Sequence, residues 1–462
     1  MRTGSLDAVM LSNPLDRALP PRGRARELRT GLYVLVVLTA GAYLPSPLYP
    51  AYQGAFAISD LAMTVVHATF ALVSAPALLL FGSASDALGP RSVLRASIVL
   101  AALGSACFAL ASGLGWLLAG RAAQGLALGA ATGAATALIS ERARRNGSVL
   151  ASTAFLAGTA AGPVAAGVLA QHAPAPRLLP FALHLALLGI GWHLVAALSA
   201  GGSRTARWTA TRPEIPRGMR LHFSSAAATG FLAWTTAGLF LAVIPALLVR
   251  GGQANEAVVG GVLGAVLICS VLTQPLVPRL GTRAAQLAGL GAVLTSLALL
   301  AHTGGGSLPA TLLAAVVAGA GHGLAYGGAA AAVDAVTPAG KRGATTGALN
   351  LAFYLGAGLP TIAVGLVTLE HPLSAAMSWV ATAAAALVPL AAAAVAATHR
   401  RTSSPGGERV LRRTRSAATV PEARPQRATT ARPKRTHSNR SPLASAKRPS
   451  GSRWRRSSSA RR

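Results

Sequence analysis

Between residues 31 and 397 the sequence alternates long apolar runs with short polar breaks. The runs are built from Ala, Leu, Gly, Val and Thr. They are about 20 residues long, the length a helix needs to cross a bilayer. Twelve spans are predicted, near 31–49, 60–81, 93–111, 114–139, 148–169, 178–198, 223–249, 257–277, 284–301, 308–334, 344–368 and 374–397. The breaks carry boundary signals. The prolines of LPSPLYP are expected to stop the first helix, and Ser59 is placed to cap the second. Ser112-Gly113 turns the chain after span 3, and ERARRNG returns it after span 4. The fold class expected is an all-α membrane protein of twelve transmembrane helices.

Charge sharpens this picture. Only 12% of the residues are charged, against about 25% in a soluble domain. Of the 42 Lys and Arg residues, 39 fall in segments that share one side if the spans alternate. Arg177 and Arg250 fall on the other side, and Arg121 lies inside span 4. The positive-inside rule then places both termini in the cytoplasm and favours an even number of spans. The net charge of +30 alone would suggest nucleic acid. Its distribution instead makes the lipid bilayer the partner, with no specific nucleic-acid site. Residues 1–30 read as a disordered basic lead, 199–222 as a cytoplasmic linker rich in Arg, Thr and Pro, and 398–462 as a disordered basic tail. Arg outnumbers Lys by 39 to 3, which points to a bacterium with a GC-rich genome. Cys107 and Cys269 both sit in apolar runs and read as inert. Neither a metal-ligand spacing nor a cofactor motif is present.

The loop Gly82 to Leu94, GSASDALGPRSVL, joins spans 2 and 3. Its pattern Gly82-x-x-x-Asp86-x-x-Gly89-x-Arg91 resembles the signature loop of the major facilitator superfamily, although Ala87 and Pro90 stand where that family usually carries bases. The resemblance implies two pseudo-symmetric six-helix halves, residues 31–198 and 223–397. A weak repeat agrees, since Gly89-x-Arg91 recurs as Gly281-x-Arg283 with Pro278 at the position of the acid. The resemblance also implies that Asp86 meets the N-terminal end of span 11, near Thr345–Gly347, when the outer side is open. Arg91 is expected to pair with Glu141.

Arg121-x-x-Gln124-Gly125 in span 4 resembles the superfamily's fourth-helix motif, whose Arg is linked to proton coupling. An intramembrane Arg is expensive and marks a functional site by default; the structural alternative is an Arg that snorkels to the surface. Gly158-x-x-x-Gly162-Pro163-x-x-x-Gly167 in span 5 resembles the motif of the drug:proton antiporters. Small residues allow close helix packing, and the proline kinks the helix. Span 1 has no acid, so the titrating candidates are Asp60, His67 and Asp334, with Arg121 biasing them. Asp60 and His67 are seven apart and share a helix face. Trp234, His322, Tyr326, Asn350 and Tyr354, together with Gln124, are candidate cavity linings.

No nucleophile–base arrangement or phosphate loop occurs, so neither an enzyme nor a self-contained ATP-driven pump is expected. The expectation is a monomeric secondary transporter in the plasma membrane that exports a small organic compound in exchange for protons. A proton-coupled metabolite importer remains open, as does a transport-inactive receptor or scaffold acting through the basic tail.

Overall fold

The computed structural model describes residues 21–143, 147–198, 208, 210, 212–338 and 341–402. The expectations for residues 1–20, for most of the linker and for the tail beyond residue 402 lie outside the described residues. Every regular element among the described residues is helical, and twelve helices are long and apolar enough to cross a membrane. They are α1 (Pro21–Tyr43), α2 (Asp60–Phe81), α3 (Pro90–Ala109), α4 (Leu114–Arg142), α5 (Gly147–His172) and α6 (Leu179–Ala196), then α7 (Arg220–Ala242), α8 (Glu256–Thr273), α9 (Thr282–Thr303), α10 (Leu308–Val336), α11 (Arg342–Val367) and α12 (Leu373–Thr402).

Local chemistry sets several boundaries. The Ser59 hydroxyl accepts the Ala62 N–H at 3.2 Å, which is the expected cap of α2. Asn255 caps α8 in the same way, accepting from Ala257 and Val258. The loop after α2 and its counterpart after α8 share one backbone form. Each ends in a short helix, Ala84–Leu88 and Val277–Leu280. Each then turns on a glycine with positive φ, Gly89 at 78° and Gly281 at 79°. Only glycine adopts that conformation at little cost, so the weak sequence repeat is a repeat of geometry.

Two expectations about the first span change. Helix α1 begins at Pro21, not near residue 31, because its basic first turns are braced by the end of α4. There Arg142 pairs with Glu27 at 2.7 Å, and Arg24 donates to the Arg142 carbonyl at 3.1 Å. The prolines near residue 45 interrupt the helix without ending the span. The chain passes through a 3₁₀ turn, Ser46–Leu48, and resumes as a helix over Tyr49–Phe56. Pro47 and Pro50 each fall in the first turn of the next segment, where a missing N–H costs nothing.

Two seams join the halves: α2 packs on α11, and α5 packs on α8. Helix α7 is the most enclosed of the twelve, while α6 and α12 show the most surface to the bilayer. The bundle has two ends, named here for Asp86 and Asp60. At the Asp86 end a linker segment straps the halves. Trp208 stacks on Phe81 with ring centroids 5.4 Å apart and donates to the Leu80 carbonyl. Glu214 pairs with Lys341 at the start of α11.

Candidate functional site

A cavity of about 430 Å³ lies between the halves and runs from mid-bundle to the Asp86 end. Tyr43 from α1 faces Trp234, Tyr326 and Tyr354 at its deep end. Thr136, Ser140, Ser152 and Thr346 line it toward the Asp86 end. Among the described residues the lining contains no charged side chain, so the cavity suits a largely apolar molecule with a few hydrogen-bonding groups. Four expected residues line it: Trp234, Tyr326, Asn350 and Tyr354. His322 does not. It sits one layer behind, fully buried, stacked on Tyr326 and edge-on to Trp234 at 4.8 Å, with Nδ1 on the Ser270 hydroxyl at 2.8 Å. The indole N–H of Trp234 is buried without a hydrogen-bond partner among the described residues. The N–H is enclosed in the wall, although the Trp234 residue itself lines the cavity.

The Asp60 end is shut. Arg250 makes two hydrogen bonds to Asp60, at 2.6 and 2.9 Å, and Gln53 adds a third at 2.9 Å. Nearby, the Glu256 N–H donates to Gln171 at 2.8 Å. Beneath them α5 crosses α8 on glycines. A Cβ on Gly167 would lie 2.5 Å from the Glu256 carbonyl oxygen and 2.9 Å from the Cα of Gly260. Gly158 and Gly162 make the same kind of approach to α1, against the backbone of Val36 and Ala40. Pro163 lies inside α5 between these two contacts.

Arg121 is 1% exposed and does not snorkel. It donates to the Ala42 carbonyl, to Gln124 Oε1 at 3.2 Å and to the Tyr49 hydroxyl. Its guanidinium also lies within 5.7 Å of the ring centres of Tyr49, Phe70 and Phe108. Gln124 is consumed here, since its amide donates to the Gly41 carbonyl at 3.0 Å, and it does not reach the cavity. The break in α1 explains these acceptors. Pro45 has no N–H, so the Gly41 carbonyl loses its helical donor and takes Gln124 instead. In a membrane interior such freed groups must find partners. His67 touches this network through Tyr49, edge-on at 6.3 Å, and borders a small void that it shares with Tyr43, Trp234 and Tyr354. Asp60 stands apart. It is held by Arg250 and Gln53, so the expected group of Asp60, His67 and Arg121 is not assembled in this structure. The reason is that Asp60 opens α2 at the bundle's end, two turns from His67.

The sequence matches the family described as the Major Facilitator Superfamily over residues 32–361. The chain belongs to the Major Facilitator Superfamily. Among the solved structures similar to it are two inward-facing ones. Both are of a bacterial homolog to the human lysosomal transporter Spinster, one in an inward-facing and occupied conformation, the other inward-facing and unoccupied. The first is 16% identical with a TM-score of 0.61, covering 83% of this chain and 98% of that one. The second is 14% identical with a TM-score of 0.63, covering 86% and 98%. At these identities the likeness is one of fold. No curated protein matches the sequence.

In this superfamily member the signature loop is arranged as follows. Gly82 packs against Gly133 of α4, where a Cβ on Gly133 would lie 3.0 Å from the Cα of Gly82. Asp86 is exposed; its N–H donates to the Ser83 carbonyl at 3.1 Å, and its carboxylate has no ion pair among the described residues. Its expected contact with α11 belongs to a state closed at this end, and here the cavity reaches this end. Arg91 and Glu141 do not pair. Glu141 faces outward, and it is Arg142, 100° further round α4, that bonds across to α1. Tyr43, Tyr49 and Phe353 do structural and lining work that the sequence reading passed over. The one available signal was that Tyr43 and Tyr49 flank the proline break.

Proposed function

We propose that this transporter exports a small, largely apolar organic compound across the plasma membrane in exchange for protons. The observation that carries the reading is the neutral, aromatic-ended cavity between the halves, closed at the Asp60 end and reaching the Asp86 end. Such a site is used by rocking one half against the other around a substrate held near the midplane. With the Asp86 end cytoplasmic, as the basic loops favour, this form collects substrate from inside the cell. Both termini are then cytoplasmic. The binding groups are Trp234, Tyr326, Asn350 and Tyr354, with Tyr43 opposite. Asp86, Gly82, Gly89 and Arg91 act as the switch loop, and the Pro163–Gly167 turn of α5, which meets Gly260 of α8, is the surface on which the outer end closes, with Gly158 and Gly162 seating α5 on α1. Proton coupling runs through His67 and Arg121, which Tyr49 links. His67 stands edge-on to Tyr49 of the arginine network and borders a void that it shares with the cavity residues Tyr43, Trp234 and Tyr354.

A proton-coupled importer is the second reading, favoured by the lack, among the described residues, of a carboxylate on the cavity wall or within residues 31–49 of the first span. One experiment separates the two. An efflux-deficient host expressing the chain is screened against a panel of toxic compounds, and hits are tested in proteoliposomes with an imposed pH gradient. Export predicts added resistance and substrate movement opposite to the proton flow. Added sensitivity with movement along the proton flow would establish the importer.

A further inference from the structure

We propose that the seam of α1, α3 and α6 at the Asp86 end binds the phosphate headgroup of an anionic phospholipid, with an acyl chain lying along α3. This inference rests on the chain spanning a bilayer and is independent of substrate and coupling. An open-sided cavity of about 460 Å³ lies there, lined by Arg26, Arg29, Thr30, Tyr33 and Leu194. Arg26 and Arg29 are exposed and three residues apart, so they share a face of α1. Their neighbours Arg24 and Glu27 turn the other way and bond to the end of α4. That leaves Arg26 and Arg29 with no acidic partner among the described residues.

A third base belongs to the same seam. Arg95 of α3 is half-buried, its guanidinium carbon 4.7 Å from the centre of the Trp192 ring on α6, and its Nε is buried with no hydrogen-bond partner among the described residues. The three helices meet beside it. A Cβ on Gly191 would lie 3.6 Å from both Tyr33 and Ile98, one residue from Trp192 and one turn from Arg95. The surroundings select a lipid over a soluble anion. The bases sit where the apolar part of α1 begins, at headgroup depth, with an aromatic ring of the kind that favours this boundary. From Arg95 an exposed apolar stripe descends α3 through Val99 and Leu103, at successive four-residue steps. Basic pockets between membrane helices suit phosphate headgroups, and the stripe suits the chain below. None of these residues lines the cavity between the halves.

The test uses the purified full-length protein and native mass spectrometry with dioleoylphosphatidylglycerol and dioleoylphosphatidylcholine. Arg26→Gln, Arg29→Gln and Arg95→Gln are made singly and together. A control carries Arg220→Gln, Arg279→Gln and Arg283→Gln, which removes three bases from other helices. Each seam substitution is expected to weaken phosphatidylglycerol about fivefold, and the triple variant on the order of a hundredfold. The control and the phosphatidylcholine affinity stay unchanged. Glycerol phosphate in excess leaves the lipid bound. Undiminished phosphatidylglycerol binding in the triple variant overturns the site, and an equal loss in the control overturns its locality. Displacement by glycerol phosphate overturns the lipid assignment in favour of a soluble phosphate. Arg26 and Arg29 are exposed, so their single variants decide the matter even if the Arg95 variant fails to fold.

Discussion

The closure at the Asp60 end has two components, and their magnitudes rank them. The first is the Asp60–Arg250 pair between α2 and the short helix after α7. It is bidentate, yet the Arg250 side chain is 51% exposed and that of Asp60 17%. An ion pair so open to water contributes about 0.2–1 kcal/mol, and its good geometry places it near the top of that range. The second is the glycine crossing of α5 and α8. There a side chain on Gly167 would meet backbone atoms of Glu256 and Gly260, at 2.5 and 2.9 Å, that no rotamer change can move aside. Overpacking of that kind costs about 1–3 kcal/mol. Both penalties fall only on the state shut at this end, because both contacts cross between the halves. Asp60→Asn should therefore raise the ratio of open to shut molecules by up to about fivefold, and Gly167→Val by about fivefold to a hundredfold. Spin labels at positions 55 and 307, exposed on opposite halves at this end, report the ratio by double electron–electron resonance in nanodiscs. A larger shift for Asp60→Asn than for Gly167→Val would refute the ranking. Unchanged distances in both would refute the claim that these contacts distinguish the two states.

Further outcomes follow from the same geometry. Arg121→Ala should abolish pH-driven transport while substrate binding survives, and Arg121→Lys should retain part of it. An unchanged pH profile in the alanine variant, measured in proteoliposomes, would remove Arg121 from coupling. Asp86→Asn should express normally and lower transport several-fold, because the exposed carboxylate is needed only when its end closes on the positive N-terminus of α11; full transport would end that role. Trp234→Phe keeps the ring and deletes the unpartnered N–H, so it should weaken substrate binding by about tenfold at most with little change in thermal stability. Deleting residues 403–462 should leave transport intact, and loss of transport with normal membrane insertion would revive the scaffold reading.

The spans were legible because membrane helices announce themselves by run length, and the cap at Ser59 because its signal is local. Trp234, Tyr326, Asn350 and Tyr354 stood out as polar or aromatic groups in apolar runs, and each lines the cavity. His322 stood out for the same reason but sits behind them. Its facing depends on how α10 is rotated against α7, which no spacing encodes. Asp60 was grouped with His67 by the seven-residue rule, a correct statement about the helix face. Its actual partner is Arg250, 190 residues away. The start of α1 was hidden similarly. Residues 21–30 read as polar lead until Glu27 meets Arg142, 115 residues further on.

An arginine buried in a membrane bundle is ordinarily expected beside a carboxylate. Here no hydrogen bond or ion pair to an acid is found among the described residues, and the compensation comes from backbone and aromatic groups. The segment LPSPLYP makes this possible. Its first proline strips a helical donor from the Gly41 carbonyl, Gln124 takes that carbonyl, and Arg121 takes the neighbouring one on Ala42. The resumed helix then brings Tyr49 onto the guanidinium. The feature that looked like a helix stop is thus what solvates the charge. It also ties the charge to the shape of α1, whose Tyr43 stands at the deep end of the cavity. A movement of α1 during rocking would alter the solvation of Arg121 and the lining of the substrate site together. The proposed coupling then needs no acid within residues 31–49 of the first span.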